Sequence, residues 1–216
     1  MDIERARFNM IEQTIHPAVP IDPQTAETLR LVKRERFVPE ALRSLAFADV
    51  ALPLGGGEHM LKPEVIGRLL LAVSPQRGES VLLIGAGSGY LAALLAVHAD
   101  SVHCMEIDPG LAATAEARLL RAGVSNVTVE EGNGLAGCAE CAPYDLIVAS
   151  GAVQSIPAAW LDQLKPGGRL FAFVGQAPVM RARLMQRLPA GGFRSKTVFE
   201  TLVDPLRAQH AGAFVF

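Results

Sequence analysis

Hydrophobic and polar positions follow two different periods along the chain, and each change of period marks an element. Among the charged residues of 2–13 stand Ile3, Phe8, Met10 and Ile11, a pattern that predicts an amphipathic helix broken at His16-Pro17. Asp22 and Pro23 open a second helix as N-cap and first helical residue. Ala26, Leu29 and Val32 form its apolar stripe, and Arg30, Lys33, Arg34 and Arg36 its solvated face. A short helix is predicted from Phe37 to about Phe47. A longer one from Pro63 turns Val65, Ile66, Leu69, Leu70 and Val73 inward. Beyond residue 80 the pattern becomes short, continuous apolar runs alternating with helical stretches. Strands are predicted at 81–84, 101–106, 126–130, 144–149 and 169–174, helices at 90–98, 109–123 and 157–164, and a turn at 165–168. Residues 181–188 and 194–203 alternate instead and predict a closing antiparallel pair. The expected fold is α/β, a seven-stranded and mostly parallel sheet with an N-terminal helical cap. No internal repeat or linker divides the chain, so 1–216 is expected to form one domain.

The most informative stretch joins two of these elements. Val81-Leu-Leu-Ile84 runs directly into Gly85-Ala-Gly-Ser-Gly89, and Tyr90 begins the next helix. Strand, glycine turn and helix start a nucleotide-binding βαβ unit, in which missing side chains let a ligand touch the backbone. The dinucleotide fingerprint is G-x-G-x-x-G; here the third glycine comes one residue early, the form used by Rossmann-type, class I S-adenosylmethionine-dependent methyltransferases. Glu106 ends the following strand, 21 positions after Gly85, where a carboxylate can accept hydrogen bonds from ribose hydroxyls. Upstream, Gly55-Gly-Gly57 between apolar segments predicts a mobile or closely approached loop.

Composition narrows the reading. Twenty basic against 22 acidic residues give a net charge of −2, so no global field favours nucleic acid or an anionic membrane. Half of the residues are hydrophobic, enough for a sizeable core, yet no apolar stretch approaches the ~20 residues of a membrane span. The mixed charge of the first residues gives no sign of a signal peptide, and three cysteines cannot all pair internally; a cytoplasmic, reduced, monomeric protein is expected. Cys138 and Cys141 form a C-x-x-C pair, but a zinc site would need histidines from distant segments, so no metal is expected.

Several stretches, in order and spanning about residues 30–175, resemble the protein-L-isoaspartate (D-aspartate) O-methyltransferases: Arg36-Phe-Val-Pro-Glu40, Phe47-Ala-Asp-Val-Ala-Leu-Pro-Leu-Gly55, residues 81–90, Gly123-Val-Ser-Asn-Val-Thr-Val129, Ala142-Pro-Tyr-Asp145 and Gln163-Leu-Lys-Pro-Gly-Gly-Arg-Leu170. The resemblance implies that S-adenosylmethionine donates a methyl group to the α-carboxylate of isoaspartyl residues in damaged proteins or peptides. S-adenosylhomocysteine is released, and succinimide formation can then repair the backbone. It implies a helical cap and substrate loop over 1–62 and a cofactor-binding core over 63–216. Carried over by residue, it places Gly85, Ala86, Gly87 and Gly89, with Tyr90, under the methionine part of the cofactor. Glu106, with Ile107, would lie at the ribose and Asn133 with Gly134 beside the adenine. His59, Met60 and Leu61 are the candidate catalytic positions of the loop 55–61, which would cover the cofactor and receive the carboxylate.

Three positions depart from the family pattern. Leu61 stands where a hydroxyl is expected, Leu83 where an acid precedes the first glycine, and Asn133 where Gly-Asp-Gly would have its acid. The family's Phe-Val-Pro-Leu ending survives only as Leu202-Val-Asp-Pro-Leu206. A carboxyl with pKa near ~4 is ionised at neutral pH, so transfer to it requires no general base, and loss of the Leu61 hydroxyl removes a positioning contact. His59 is either its substitute as a carboxylate holder or a plain exposed loop residue. The departures leave two alternatives open: a methyltransferase of this fold with a different acceptor, and a cofactor-binding protein without repair activity.

Overall fold

The computed structural model describes residues 2–207. The cap begins with helix α1 (Ile3–Asn9), N-capped by Asp2, and continues without a break through a π-helical turn (Met10–Ile15) into the short α2 (His16–Ala18). The expected stop at His16-Pro17 is thus passed. A proline ring clashes with the carbonyl four residues back in an α-helix, and the wider turn ahead of Pro17 moves that carbonyl aside. Helix α3 (Pro23–Leu31) is capped by Asp22, whose carboxylate accepts the Thr25 N–H at 2.7 Å.

The helix ends there, and the chain re-enters as a 3-10 turn, Arg34–Arg36. Arg34 therefore leaves the solvated face assigned to it and is 0% exposed. Its Nε donates to the Ala46 carbonyl and its Nη2 to the Leu61 carbonyl, both at 2.9 Å. A second 3-10 turn, Glu40–Leu45, follows. The triple glycine then closes a hairpin rather than a loose loop: β1 (Leu52–Gly55) pairs antiparallel with β2 (Glu58–Met60), Pro53 opposite His59.

Helix α4 (Pro63–Val73) leads into the sheet: β3 (Ser80–Ile84), α5 (Tyr90–Ala96), β4 (Ser101–Glu106), α6 (Pro109–Ala122), β5 (Val127–Glu131), β6 (Tyr144–Val153), α7 (Ala158–Asp162), β7 (Leu164–Gln176), β8 (Val179–Arg187) and β9 (Phe193–Thr201). The seven strands lie in the order β5-β4-β3-β6-β7-β8-β9, the first five parallel and the last two antiparallel. Residues 165–168 sit inside β7 as an irregularity, where the register jumps from Leu164 opposite Tyr144 to Arg169 opposite Leu146.

Alternate residues of the parallel strands fill two cores, as expected for a sheet covered on both faces. Val81, Leu83, Cys104 and Val148 pack toward α4, α5 and the cap; Leu82, Ile84, Met105 and Ile147 pack toward Trp160. At the N-terminal edge Asp145 accepts from Ser80 N at 2.8 Å, Ser80 Oγ at 3.1 Å and Lys165 Nζ at 2.7 Å. Burial raises its pKa, but the Lys165 and Ser80 hydrogen bonds outweigh burial and hold the carboxyl below its usual range. Strand order reverses at β3, so the crevice above the carboxyl ends of β3, β4 and β6 is where a sheet of this kind takes a ligand. No described helix is long and apolar enough to cross a membrane.

Candidate active site

A cleft of about 640 Å³, its open mouth included, occupies that crevice. Its floor is the glycine turn. Gly85 donates its N–H to the Met105 carbonyl at 2.8 Å and has φ +85°, and a Cβ there would collide with the Ser150 hydroxyl. Gly89 has φ +83° and lies 3.2 Å, measured from a would-be Cβ, from the Ala115 carbonyl, so it sets the approach of α5 to α6, and it does not line the cleft.

Glu106, at the end of β4, is 5% exposed and faces this floor. One carboxylate oxygen accepts the Gly87 N–H at 2.8 Å and the other the Asp108 N–H at 3.1 Å. Among the described residues no basic side chain pairs with it, so its charge rests on two backbone donors and its remaining lone pairs are free for a ligand. Ile107 borders the same cleft. Asp108 caps α6 through the N–H groups of Gly110 and Leu111.

The opposite wall is the turn after β5. Gly134 lines the cleft; its carbonyl is held by the buried Trp160 indole at 2.9 Å, and a Cβ there would meet Ile84 Cγ2 at 2.5 Å. Asn133 does not line it: its side-chain oxygen accepts the Leu135 N–H at 3.1 Å and caps the 3-10 turn Gly134–Ala136.

The outer wall is the β1–β2 hairpin. His59 and Leu61 both border the cleft and an adjoining lobe, which Met60, Ala86 and Tyr90 also line. Met60 and Tyr90 are core residues, 5% and 1% exposed. The Arg34 guanidinium lies 5.1 Å above the Tyr90 ring, and burial pushes the Tyr90 hydroxyl up to about 12, Arg34 opposing it. Burial lowers the pKa of Arg34 itself, with Tyr90 and Asp49 partly offsetting. Leu83, which stands where the family pattern has an acid, is buried mid-strand and borders neither lobe.

Two residues that the sequence reading missed complete the wall. After β9 the chain returns over the cleft, Ala152 N–H donating to the Asp204 carbonyl and Leu206 N–H to the Ala152 carbonyl, both at 2.8 Å. This strap brings Asp204 Oδ2 to 2.9 Å from His59 Nδ1. It also brings Arg207 to Glu58 at 2.5 Å, to the Gly56 carbonyl, and to Asp108 at 3.5 Å. Burial raises the Glu58 carboxyl against the pull of Arg207. His59 is thus no free loop residue, although its side chain is 40% exposed. The one signal for the strap was the weakened ending Leu202-Val-Asp-Pro-Leu206.

Known proteins agree with this architecture. The profile of the family described as protein-L-isoaspartate(D-aspartate) O-methyltransferase (PCMT) matches residues 5–210. The protein-L-isoaspartate O-methyltransferase 2 of Anaeromyxobacter sp. is 40% identical over 204 residues, 94% of this chain and 84% of its own. That of Syntrophobacter fumaroxidans is 38% identical over 192 residues, 88% and 77% of the two chains. A solved Plasmodium falciparum structure, titled a putative protein-L-isoaspartate O-methyltransferase in complex with S-adenosyl-L-homocysteine, has the same fold. Its TM-score is 0.79 at 16% identity over 96% of this chain and 99% of that one. With the family profile spanning nearly every described residue and two relatives 38% and 40% identical over most of both chains, the chain belongs to the protein-L-isoaspartate(D-aspartate) O-methyltransferase family.

Proposed function

We propose that methyl transfer to the carboxylate of isoaspartyl residues takes place where the cleft meets its adjoining lobe, between the glycine turn and the β1–β2 hairpin. The observation that carries this reading is Glu106, a buried carboxylate with spare lone pairs behind a turn whose Gly85 tolerates no side chain. That cradle fits S-adenosylmethionine, the family's methyl donor. Glu106 would hold the ribose hydroxyls, Gly85 and Gly87 would admit the methionine part, and Gly134 would flank the adenine. When bound, the donor supplies an electrophilic methyl group on a positively charged sulfur.

The chain itself contributes alignment and dryness. An attacking carboxylate needs no base at neutral pH. Anion and cation cancel as the methyl group moves, so excluding water and fixing the approach lower the barrier most. Leu54, Leu61 and Leu206 are among the apolar surfaces available for this. Asp204 accepts from His59 Nδ1, so a neutral ring turns a lone pair outward at Nε2, and only the imidazolium donates to an incoming carboxylate. The deciding experiment is transfer of labelled methyl from S-adenosylmethionine to an isoaspartyl peptide and to its normal aspartyl twin. Labelling of the first alone is expected; labelling of neither, or of both equally, overturns the reading.

A further inference from the structure

The cysteine pair that its spacing alone left without ligands has a histidine in the folded chain. His103 projects from β4 on the Trp160 face of the sheet, and its Nδ1 lies 3.7 Å from Cys141 Sγ. The ligand atoms of His103, Cys138 and Cys141 all lie within 4.8 Å of one another. In a tetrahedral zinc site, bonds of about 2.0–2.1 Å to nitrogen and about 2.3 Å to sulfur put ligand atoms roughly 3.5–3.8 Å apart. The His103–Cys141 edge already has that length.

The surroundings are those of a metal ligand set. His103 Nε2 lies 3.0 Å from Glu130 Oε2, on the neighbouring strand β5. That carboxylate holds the ring proton on Nε2 and leaves the Nδ1 lone pair facing the sulfurs, the orientation that carboxylate–histidine–zinc arrangements use. Cys138 is fixed through its backbone, the N–H donating to Gln163 Oε1 at 2.9 Å and the carbonyl accepting from the buried Tyr144 hydroxyl at 3.0 Å. Cys138 is buried and Cys141 exposed, so a fourth coordination position opens to solvent.

We propose that Cys138, Cys141 and His103 bind one zinc ion, with Glu130 as the group that orients His103. Binding forms two zinc–thiolate bonds and one zinc–imidazole bond and releases the two thiol protons to water. No oxidant or reductant is involved. The ion would brace, from behind, the short segment that runs from Gly134 in the cleft wall to Cys138, and so stiffen that wall while standing apart from the reacting groups.

The test uses tag-free, full-length protein kept under reducing conditions. After equilibration with zinc and dialysis against metal-free buffer, one zinc per chain is expected. Cobalt(II) added to metal-free protein should give the near-ultraviolet thiolate-to-cobalt band and the intense visible bands of a tetrahedral site. Cys141→Ser changes an exposed side chain, so it should keep the wild-type circular dichroism and lose both zinc and the cobalt spectrum; Glu130→Gln should weaken zinc binding by about 10- to 100-fold. Wild-type protein that retains no zinc and shows no cobalt band overturns the proposal. So do equal uptake by Cys141→Ser and a Cys138–Cys141 disulfide trapped by alkylation at lysis.

Discussion

Glu106→Gln separates two jobs of one carboxylate, clamping the glycine turn and, as proposed, holding the donor's ribose. The substitution preserves shape and removes the charge and one acceptor. Two backbone donors converge on the side chain, Gly87 N–H at 2.8 Å and Asp108 N–H at 3.1 Å, in a position only 5% exposed. A glutamine can turn its oxygen to one of them and must turn its NH2 group to the other. One buried N–H is then unpaired and the surviving bond is no longer charge-assisted, a loss of roughly 2–4 kcal/mol in stability. For a chain of this length that lowers the melting temperature by on the order of 5–15 °C. The ribose hydroxyls lose the same charged acceptor, about 1–3 kcal/mol, so S-adenosylhomocysteine should bind about 5- to 150-fold more weakly. Calorimetric titration at 25 °C, where the variant remains folded, reads the second effect, and a thermal melt reads the first. A lowered melting temperature with wild-type affinity would refute the reasoning. The carboxylate would then be only a clamp on the glycine turn, with the ribose held elsewhere.

Three further outcomes are expected. Leu61→Ser should raise the methylation rate on an isoaspartyl peptide about tenfold, one hydrogen bond to a charged group, with S-adenosylhomocysteine affinity unchanged; a slower variant in the same assay would assign the leucine to shaping the acceptor wall. Arg34→Lys keeps the charge but cannot reach both the Ala46 and Leu61 carbonyls from a planar fork, so urea denaturation should show a loss of about 1–3 kcal/mol, and an unchanged midpoint would contradict the bracing role. Asp145 has a folded-state pKa below its unfolded one, so its stabilisation is fully present above the unfolded value near ~3.9 and disappears as pH falls through the folded value. Wild type and Asp145→Asn should therefore differ in melting temperature at pH 7 and converge in strong acid; a gap independent of pH would exclude that linkage.

What could be read in the chain beforehand was local. Strand β3, the glycine turn and α5 are contiguous in sequence, and Glu106 lies at a spacing set by one βαβ unit, so periodicity and spacing carry them. Arg34 was misplaced because the helical period runs on arithmetically past Leu31, with no glycine or proline to mark the end. Two carbonyls from later segments, Ala46 and Leu61, turn it inward. Asp204 stands 145 positions from His59, and nothing in the pattern of either segment points to the other. His103 illustrates the same limit. Alternation along β4 gives the face on which it lies, but only the path of the chain from Gly134 to Tyr144 brings the two cysteines to it.

The hairpin that forms the outer wall is a separate two-stranded sheet with three paired positions. A ribbon of that size is marginal by itself in water. It is moored instead at its edges, by Arg34 from the cap and by Asp204 and Arg207 from the strap, whereas the glycine-turn side of the cleft is part of the seven-stranded core. A small ribbon held by such contacts opens at a lower free energy than the strands of a packed core. In the proposed site, a bulky polypeptide would be admitted and released by lifting the hairpin from its moorings while the glycine turn and Glu106 stay folded. On that proposal the enzyme would breathe on its acceptor side without dissolving the half assigned to its methyl donor.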